Sequence, residues 1–557
     1  MYKLFLCLRY LRSRVLAYFA AAAVALCVAM MLIAVSVMDG FLNRIEVAAK
    51  GLFGDIVIES NTLSGLGRYD EFTKELKAKV PDVQQASPWI FTYGIICPPG
   101  SDWRQNVQVA GIRLPERAEV TDFAKGLFVQ KDWPSPGFDP PMDKVLARLD
   151  QDERDVQALA DDLQTKIRAI EKDDPESPAV AKMQRDLDLM RMSVSHHEIG
   201  MRRIRRAAQT DKQIADLEAK YADAQNKNEP DDKIQQLQEE LDRLGRERVL
   251  PPTERMMPGA AIPGLSRRTS EGKTIRFIVP GQQMVLTLIP LGRGSSLSNI
   301  TPSTKLFTVI DDSRTDVSSI DNSTVYIPFE MLQKLNDMDG DGVNPPRCSA
   351  IHVKVRGGGL GDERRLAEIR EKIKTAWADF VERNPDADFS GVSIMTWRER
   401  QEVIISNIAA QRTLVVIMFA VMSLVAVALV FVLFYTIVVQ KTKDIGVLKA
   451  IGGSNAGVAQ IFLGYGAAVG LAGSIVGVIL GWIFVRNINP IHDWVGRTFG
   501  LVVWSKEFFL FDKIPNEVQP LPALLIVLSA IAAGLIGALL PALLAARMQP
   551  VEALRYE

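Results

Sequence analysis

The sequence predicts a polytopic α-helical membrane protein with four transmembrane helices, one plus three, and a large external α/β domain carrying a coiled-coil hairpin insert. Three observations carry this: four long apolar runs, a strand-rich region between the first and second of them, and a charged heptad-patterned stretch inside that region. At 557 residues, with a formal net charge of −1, 48% hydrophobic and 24% charged residues, the chain exceeds one ordinary domain and its averages hide two solvents. Near-zero charge, with neither zinc spacing nor an aromatic-interleaved basic segment, sets nucleic acid aside.

Residues 1–14 form a basic cytoplasmic segment, and residues 15–38 are nearly pure Ala, Val, Leu, Ile and Met. A bilayer span needs roughly 20 such residues. The runs at 413–440, 458–486 and 521–546 meet the same criterion, and the third span is rich in Gly and Ala, which permit close helix packing. A cleaved signal peptide is the rival for the first run. Its apolar core is usually only about 7–15 residues, and Ser36-Val37-Met38-Asp39 is not a small-x-small cleavage site.

Basic residues orient the spans. Lys3, Arg9, Arg12 and Arg14 precede the first, Lys441, Lys443 and Lys449 lie between the second and third, and Arg547 and Arg555 follow the last. Both termini and the segment 441–457 therefore belong in the cytoplasm, with residues 39–412 and the loop 487–520 outside. Cys7 and Cys27 fall in cytoplasm and membrane; Cys97 and Cys348 fall outside, where a disulfide and two buried thiols are both open.

The external domain has two parts, 39–141 and 251–412. GDIVIES, QNVQVAGI, MVLTLIP, KLFTVI, STVYIP and AIHVKV are β-branched runs bounded by Gly, Pro, Asp or Asn, and Leu366, Ile369, Ile373 and Trp377 mark a helix. The insert, 142–250, differs in texture. Met183, Leu187, Met190, Val194, His197, Met201 and Ile204 step by four and three, as do Ile234, Leu237, Leu241 and Leu244. DDPESP at 173–178 and NKNEP at 226–230 are the candidate turns. At about 1.5 Å per residue such helices can extend well away from the membrane, to touch a partner or brace a dimer.

Candidate chemistry fails on spacing. GGSNAGVAQ has the glycines of a nucleotide loop, but Val458 follows Gly457 where a Walker A needs lysine. DMDGDG at 337–342 begins like a calcium loop, but Cys348 stands where the bidentate Glu is required. His196 and His197 are adjacent on the heptad helix, where heptad position and surface account for them, and His352 and His492 stand alone. Gly452-Gly453-Ser454-Asn455-Ala456 fails as a nucleophile elbow at its last residue. No catalytic, cofactor-binding or metal-ligating constellation is predicted.

MYKLFLCLRYLRSR, a span closing in SVMDGF, and GLFGDIVI resemble the start of the permeases of lipoprotein-releasing (Lol-type) ABC transporters. KTKDIGVLKAIGGS and PALLAARMQPVEALRYE resemble the cytoplasmic segment and C-terminus of their wider family, which includes the MacB and FtsX permeases. TFGLVVWSKEFFLFDKIPNEV resembles the external loop that Lol-type permeases carry before the last span, and VAGI, GQQMVLTLIP, FTVIDDSRTDVSSIDNSTVYIPFEMLQKL and TWRE follow in family order. The insert lies outside the resemblance, and Asp444 stands where glutamate is usual.

The resemblance implies a MacB-like external domain and an inner-membrane permease with its large domain in the periplasm. It implies no catalysis on this chain, with ATP and Mg bound by a separate cytoplasmic ABC ATPase. The expected partners are that ATPase, a second permease of the same or a related chain, a lipoprotein substrate, a periplasmic carrier and membrane lipid. ATP-driven movement of the external domains would release lipoproteins by mechanotransmission. The alternatives are a MacB-like exporter working with an outer-membrane channel and an FtsX-like signalling permease controlling a cell-wall hydrolase.

By this resemblance Lys443, Asp444, Ile445, Gly446, Leu448, Lys449 and Gly452 are the ATPase-coupling residues, and Pro541, Arg547, Pro550, Ala553, Leu554 and Arg555 are the C-terminal family motif. Ile445, Leu448 and Ile451 are expected to pack, and Lys443, Asp444 and Lys449 to make polar contacts with the ATPase. Gly452 and Gly453 are expected to end the helix. A structural loop anchored by positive charge is the plain alternative for that segment. For the C-terminus, it is a helix end with a snorkelling arginine.

Overall fold

The computed structural model describes residues 15–549 except 63–64, 132, 174–177, 228–229, 247, 249, 269–273, 291–300, 316, 341–343, 386–388, 390 and 500–513. Cys7, the N-terminal basic residues, the end of DMDGDG, residues 500–513 of the 487–520 loop and the C-terminal residues 550–557 lie outside the described residues. The chain divides into two compact units, one running from Val47 to Gln401 and the other built on the apolar helices.

Among the described residues four helices are long and apolar enough to cross a membrane. The first lies in the helix Val15–Phe53; the others are Glu402–Gln440, Asn455–Arg486 and Pro520–Arg547. Two of these helices run well past the expected spans, because backbone hydrogen bonding continues wherever side chains tolerate it, while only the apolar stretch reports membrane thickness.

Glycines set how these helices meet. Gly473, Gly477 and Gly481 recur every four residues on the third apolar helix and lie against the first. A Cβ on Gly477 would sit 2.6 Å from the Ala25 carbonyl oxygen and 2.7 Å from Val28 Cβ. Gly466 and Gly470 meet the last helix in the same way, at Ala538, Gly534 and Ala530. Apolar burial gives no net drive between helices already in lipid, so close backbone contact supplies the dispersion that holds them. The second apolar helix is the least covered, with Leu414, Val421, Leu424 and Val425 all exposed.

The unit Val47–Gln401 is built on a nine-stranded sheet. Its strands are β1 (Ile56–Ser60), β2 (Val83–Cys97), β3 (Gln105–Ile112), β4 (Arg255–Pro258), β5 (Gln283–Leu288), β6 (Ser303–Val309), β7 (Thr324–Pro328), β8 (Ala350–Val355) and β9 (Val392–Thr396). The order is β9-β1-β8-β2-β3-β7-β4-β6-β5, and β5 also pairs with the far end of β2, Gly94 opposite Leu288. That pairing closes a ring through β2, β3, β7, β4, β6 and β5. Closure removes two exposed edges that would otherwise invite strand addition.

The six segments read as strands are strands here. The long β2 escaped notice because Gln84, Gln85 and Pro88 interrupt its apolar pattern. Gly54 takes φ 76°, which lets the chain turn from the first helix into β1. Asp55 then anchors the strand, fully buried, accepting from the Val355 amide at 2.8 Å and pairing with Lys50 at 3.2 Å. One sheet face is covered by the helices Tyr69–Lys79 and Glu363–Arg383, where Phe72 packs edge-on to Trp377 and against Phe380. The TWRE motif is a capping box: Thr396 accepts from the Glu399 amide and the Glu399 carboxylate accepts from the Thr396 amide.

The insert differs from a single hairpin. It forms three helices, Met142–Asp173, Pro178–Asn226 and Asp231–Arg246, which break at the predicted turns. Part of the heptad seam is spent on the sheet domain: Met201 and Ile204 share a core with Met257, Ile310 and Tyr326, and Leu187 and Met190 share one with Ile275 and Phe277. Gly200 makes the approach possible, since a Cβ there would lie 2.4 Å from the Pro280 carbonyl oxygen. The last helix of the insert has no buried residue.

His197 is likewise more than a heptad filler. It is fully buried, with Nδ1 2.9 Å from the Ser193 carbonyl oxygen and Nε2 3.0 Å from Asp152 Oδ2. Cys97 and Cys348 are free thiols, and burial pushes the Cys348 thiol well above its usual range.

Candidate functional site

The segment between the second and third apolar helices is a short helix, Thr442–Ala450, whose sequence sets both ends. Thr442 Oγ1 donates to the Val439 carbonyl oxygen at 2.8 Å, occupying an acceptor freed where the preceding helix stops. At the far end Gly452, at φ 103°, closes a Schellman motif: its amide bonds to the Lys449 carbonyl oxygen at 3.0 Å and the Gly453 amide to that of Leu448 at 3.0 Å. Ser454 immediately caps the next helix, accepting from the Gly457 amide at 3.1 Å. GGSNAG is thus a helix stop followed by a helix start.

The faces of this helix divide clearly. Ile445 is buried and Leu448 half-buried, packed with Val458, Ile461, Phe462 and Tyr465 around a small void of about 70 Å³. Gly446 is buried beside Ile445. Lys443, Val447 and Ile451 recur every four residues on the outward side and are exposed, Ile451 at 83%. Asp444 is also exposed, and its carboxylate accepts from Lys441 Nζ three residues earlier.

Of the residues expected to pack, Ile445 and Leu448 turn inward and only Ile451 remains on the outer surface. Val447 was missed; its signal was the i, i+4 spacing with Lys443 and Ile451. Lys449, expected among the outward polar groups, bends instead to the last helix, donating to the carbonyl oxygens of Ala546 at 2.7 Å and Met548 at 2.6 Å. A cation there satisfies C-terminal carbonyls and meets the negative end of the helix dipole.

Pro541 is buried inside that last helix, and Arg547 is its exposed final residue. Pro550, Ala553, Leu554 and Arg555 lie outside the described residues. Two other motif segments meet: a Cβ on Gly40 of SVMDGF would lie 2.6 Å from Pro515 Cβ of IPNEV. Asp39 beside it is ion-paired to Arg412. No cluster of His, Cys, Asp and Glu able to hold a metal occurs among the described residues.

Residues 416–550 match the model of the FtsX-like permease C-terminal family. The chain is 36% identical over 121 residues to the lipoprotein-releasing system transmembrane protein LolC of Xylella fastidiosa strain Temecula1, covering 22% of this chain and 29% of that protein. The LolC of Xylella fastidiosa strain 9a5c is 26% identical over 260 residues, covering 46% of this chain and 56% of the relative. The lipoprotein-releasing system transmembrane protein LolE of Haemophilus influenzae is 30% identical over 115 residues, or 21% of this chain and 28% of that one. The chain thus spans less than two thirds of each of these relatives.

Proposed function

We propose that this chain is the permease subunit of a LolC/LolE-type ABC transporter, an inner-membrane protein that couples ATP hydrolysis on a separate cytoplasmic subunit to the release of lipoproteins. The coarse part of this reading rests on the FtsX-like permease domain and the similarity to LolC and LolE. The observation that carries the coupling is the short helix itself. It presents Lys443, Val447 and Ile451 outward while Lys449 ties it to the last apolar helix. A push on that surface would therefore load three membrane helices together.

In this reading the ATP and Mg sit on the ATPase, and this chain performs no chemistry. The basic residues at the span ends support cytoplasmic termini and, in this reading, a periplasmic large domain. A second permease, identical or related, a lipoprotein substrate and a periplasmic carrier complete the assembly. Driving a two-state external domain from 1:99 to 99:1 requires roughly 5.5 kcal/mol of differential binding, part of which nucleotide-dependent docking on this helix supplies.

Asp444→Lys replaces the Lys441–Asp444 pair with repulsion on the docking surface. It is expected to preserve membrane insertion and lower ATPase-coupled activity in the reconstituted complex; wild-type turnover would refute the assignment. Depletion of the protein is expected to leave lipoproteins in the inner membrane, and unchanged sorting would sink the transport reading.

A further inference from the structure

One face of the sheet holds a cavity of about 380 Å³, lined in part by Trp89, Phe91, Thr324, Tyr326 and His352. Strand period two places these residues together: Trp89 and Phe91 project from β2, Thr324 and Tyr326 from β7, Ala350 and His352 from β8, on one side. The volume lies in the range of small-molecule sites, roughly 300–1,000 Å³.

Arg117, from the helix Leu114–Val120, enters this cavity. It is 2% exposed and stands 4.4 Å above the Trp89 ring. Nη1 donates to His352 Nδ1 and Nη2 to the Leu52 carbonyl oxygen. Among the described residues no carboxylate pairs with it, and its Nε has no hydrogen-bond partner. Thr324 Oγ1 is buried and unpartnered as well.

The cavity does not neutralise this cation from its own groups. His352 accepts from Arg117, and burial together with the Arg117 and Arg400 charges holds it far below its ordinary range, so it is neutral. Glu59, the acidic residue of the lining, is already held by Arg400 at 2.7 and 3.1 Å. Burial lowers Arg117 to about 9, which still leaves it charged at neutral pH. A buried charge without a counter-ion is costly, and the unsatisfied Thr324 hydroxyl elsewhere in the lining adds to that cost.

We propose that this cavity binds a small anionic amphiphile, with a carboxylate or phosphate headgroup on the Arg117 guanidinium and an apolar group against the aromatic wall that includes Trp89 and Phe91. A charge-assisted bond to the guanidinium would supply the counter-charge that the cavity lacks, and the aromatic walls bury the tail. The inference is independent of the transport reading, since it rests on residues of the unit Val47–Gln401 alone.

The test is calorimetric titration of the full chain, in nanodiscs of zwitterionic lipid, with octanoate, octyl phosphate, octanol and inorganic phosphate. Saturable binding of octanoate or octyl phosphate is expected, with octanol and inorganic phosphate each at least tenfold weaker. Arg117→Met is expected to weaken binding tenfold or more and Arg117→Lys to retain most of it. Gln108→Trp, which fills the cavity without touching Arg117, is expected to abolish binding. No saturable binding of either anionic amphiphile, octanol or phosphate binding as tightly as they do, or wild-type affinity in Gln108→Trp would overturn the proposal.

Discussion

Lys449→Met separates the short helix from the last apolar helix while leaving the outward docking residues in place. The wild-type ammonium makes bonds of 2.7 and 2.6 Å to the carbonyl oxygens of Ala546 and Met548. A hydrogen bond to a charged group contributes about 1.5–3 kcal/mol net, and a cation at a helix C-terminus a further 0.3–1 kcal/mol or so. The bonds share one half-buried ammonium, so they do not add in full, and about 2 kcal/mol is a fair total. That is roughly a thirtyfold change in the equilibrium between tethered and released states of the helix end. In the reconstituted complex the ATPase should still copurify, hydrolysis should persist, and lipoprotein released per ATP should fall several-fold. Lys449→Arg, which keeps a cation within reach of both carbonyls, should retain most of the coupling. A methionine variant with wild-type release per ATP would refute the idea that this tether transmits force.

Gly477→Leu forces a side chain against the Ala25 carbonyl oxygen, so the first and third apolar helices must separate; a loss of about 1–3 kcal/mol is expected in reversible detergent unfolding. Gly464→Leu, on an exposed face of the same helix, should be neutral or mildly stabilising by helix propensity, and equal losses at both positions would refute the packing argument. For His197, burial opposes the imidazolium, but Asp152 and the Ser193 carbonyl outweigh it and raise its pKa above the ordinary 6.5. A raised folded-state pKa means the stabilisation is fully present below 6.5 and is lost as pH rises through the folded value. Melting temperature should therefore fall over that window in the wild type and stay flatter in His197→Gln, and identical pH profiles would contradict the ion pair.

Much of the architecture follows from local pattern. Four apolar runs of bilayer length, β-branched segments ended by turn residues, and the Pro- and Asp-rich breaks of the insert each declare their element without reference to the rest of the chain. The insert also shows where pattern stops. A heptad seam reports that one helix face is apolar, and it is silent on what covers that face. Met201 and Ile204 meet the sheet domain because Gly200 admits the Pro280 backbone, a contact between residues far apart in sequence.

The coupling segment divides along the same line. Its lysines, its glycine stop and its place between two apolar runs were readable in KTKDIGVLKAIGGS, because caps and charge bias are local properties. That Ile445 turns inward, Val447 outward and Lys449 toward the last helix was decided only by packing, since the rotation of a nine-residue helix depends on neighbours on other chain segments. The cavity around Arg117 belongs wholly to the tertiary level. Arg117, Trp89, Thr324 and His352 are unremarkable where they stand in sequence, and strand register together with one short helix brings them into the lining of one cavity, where an unpaired charge acquires chemical meaning.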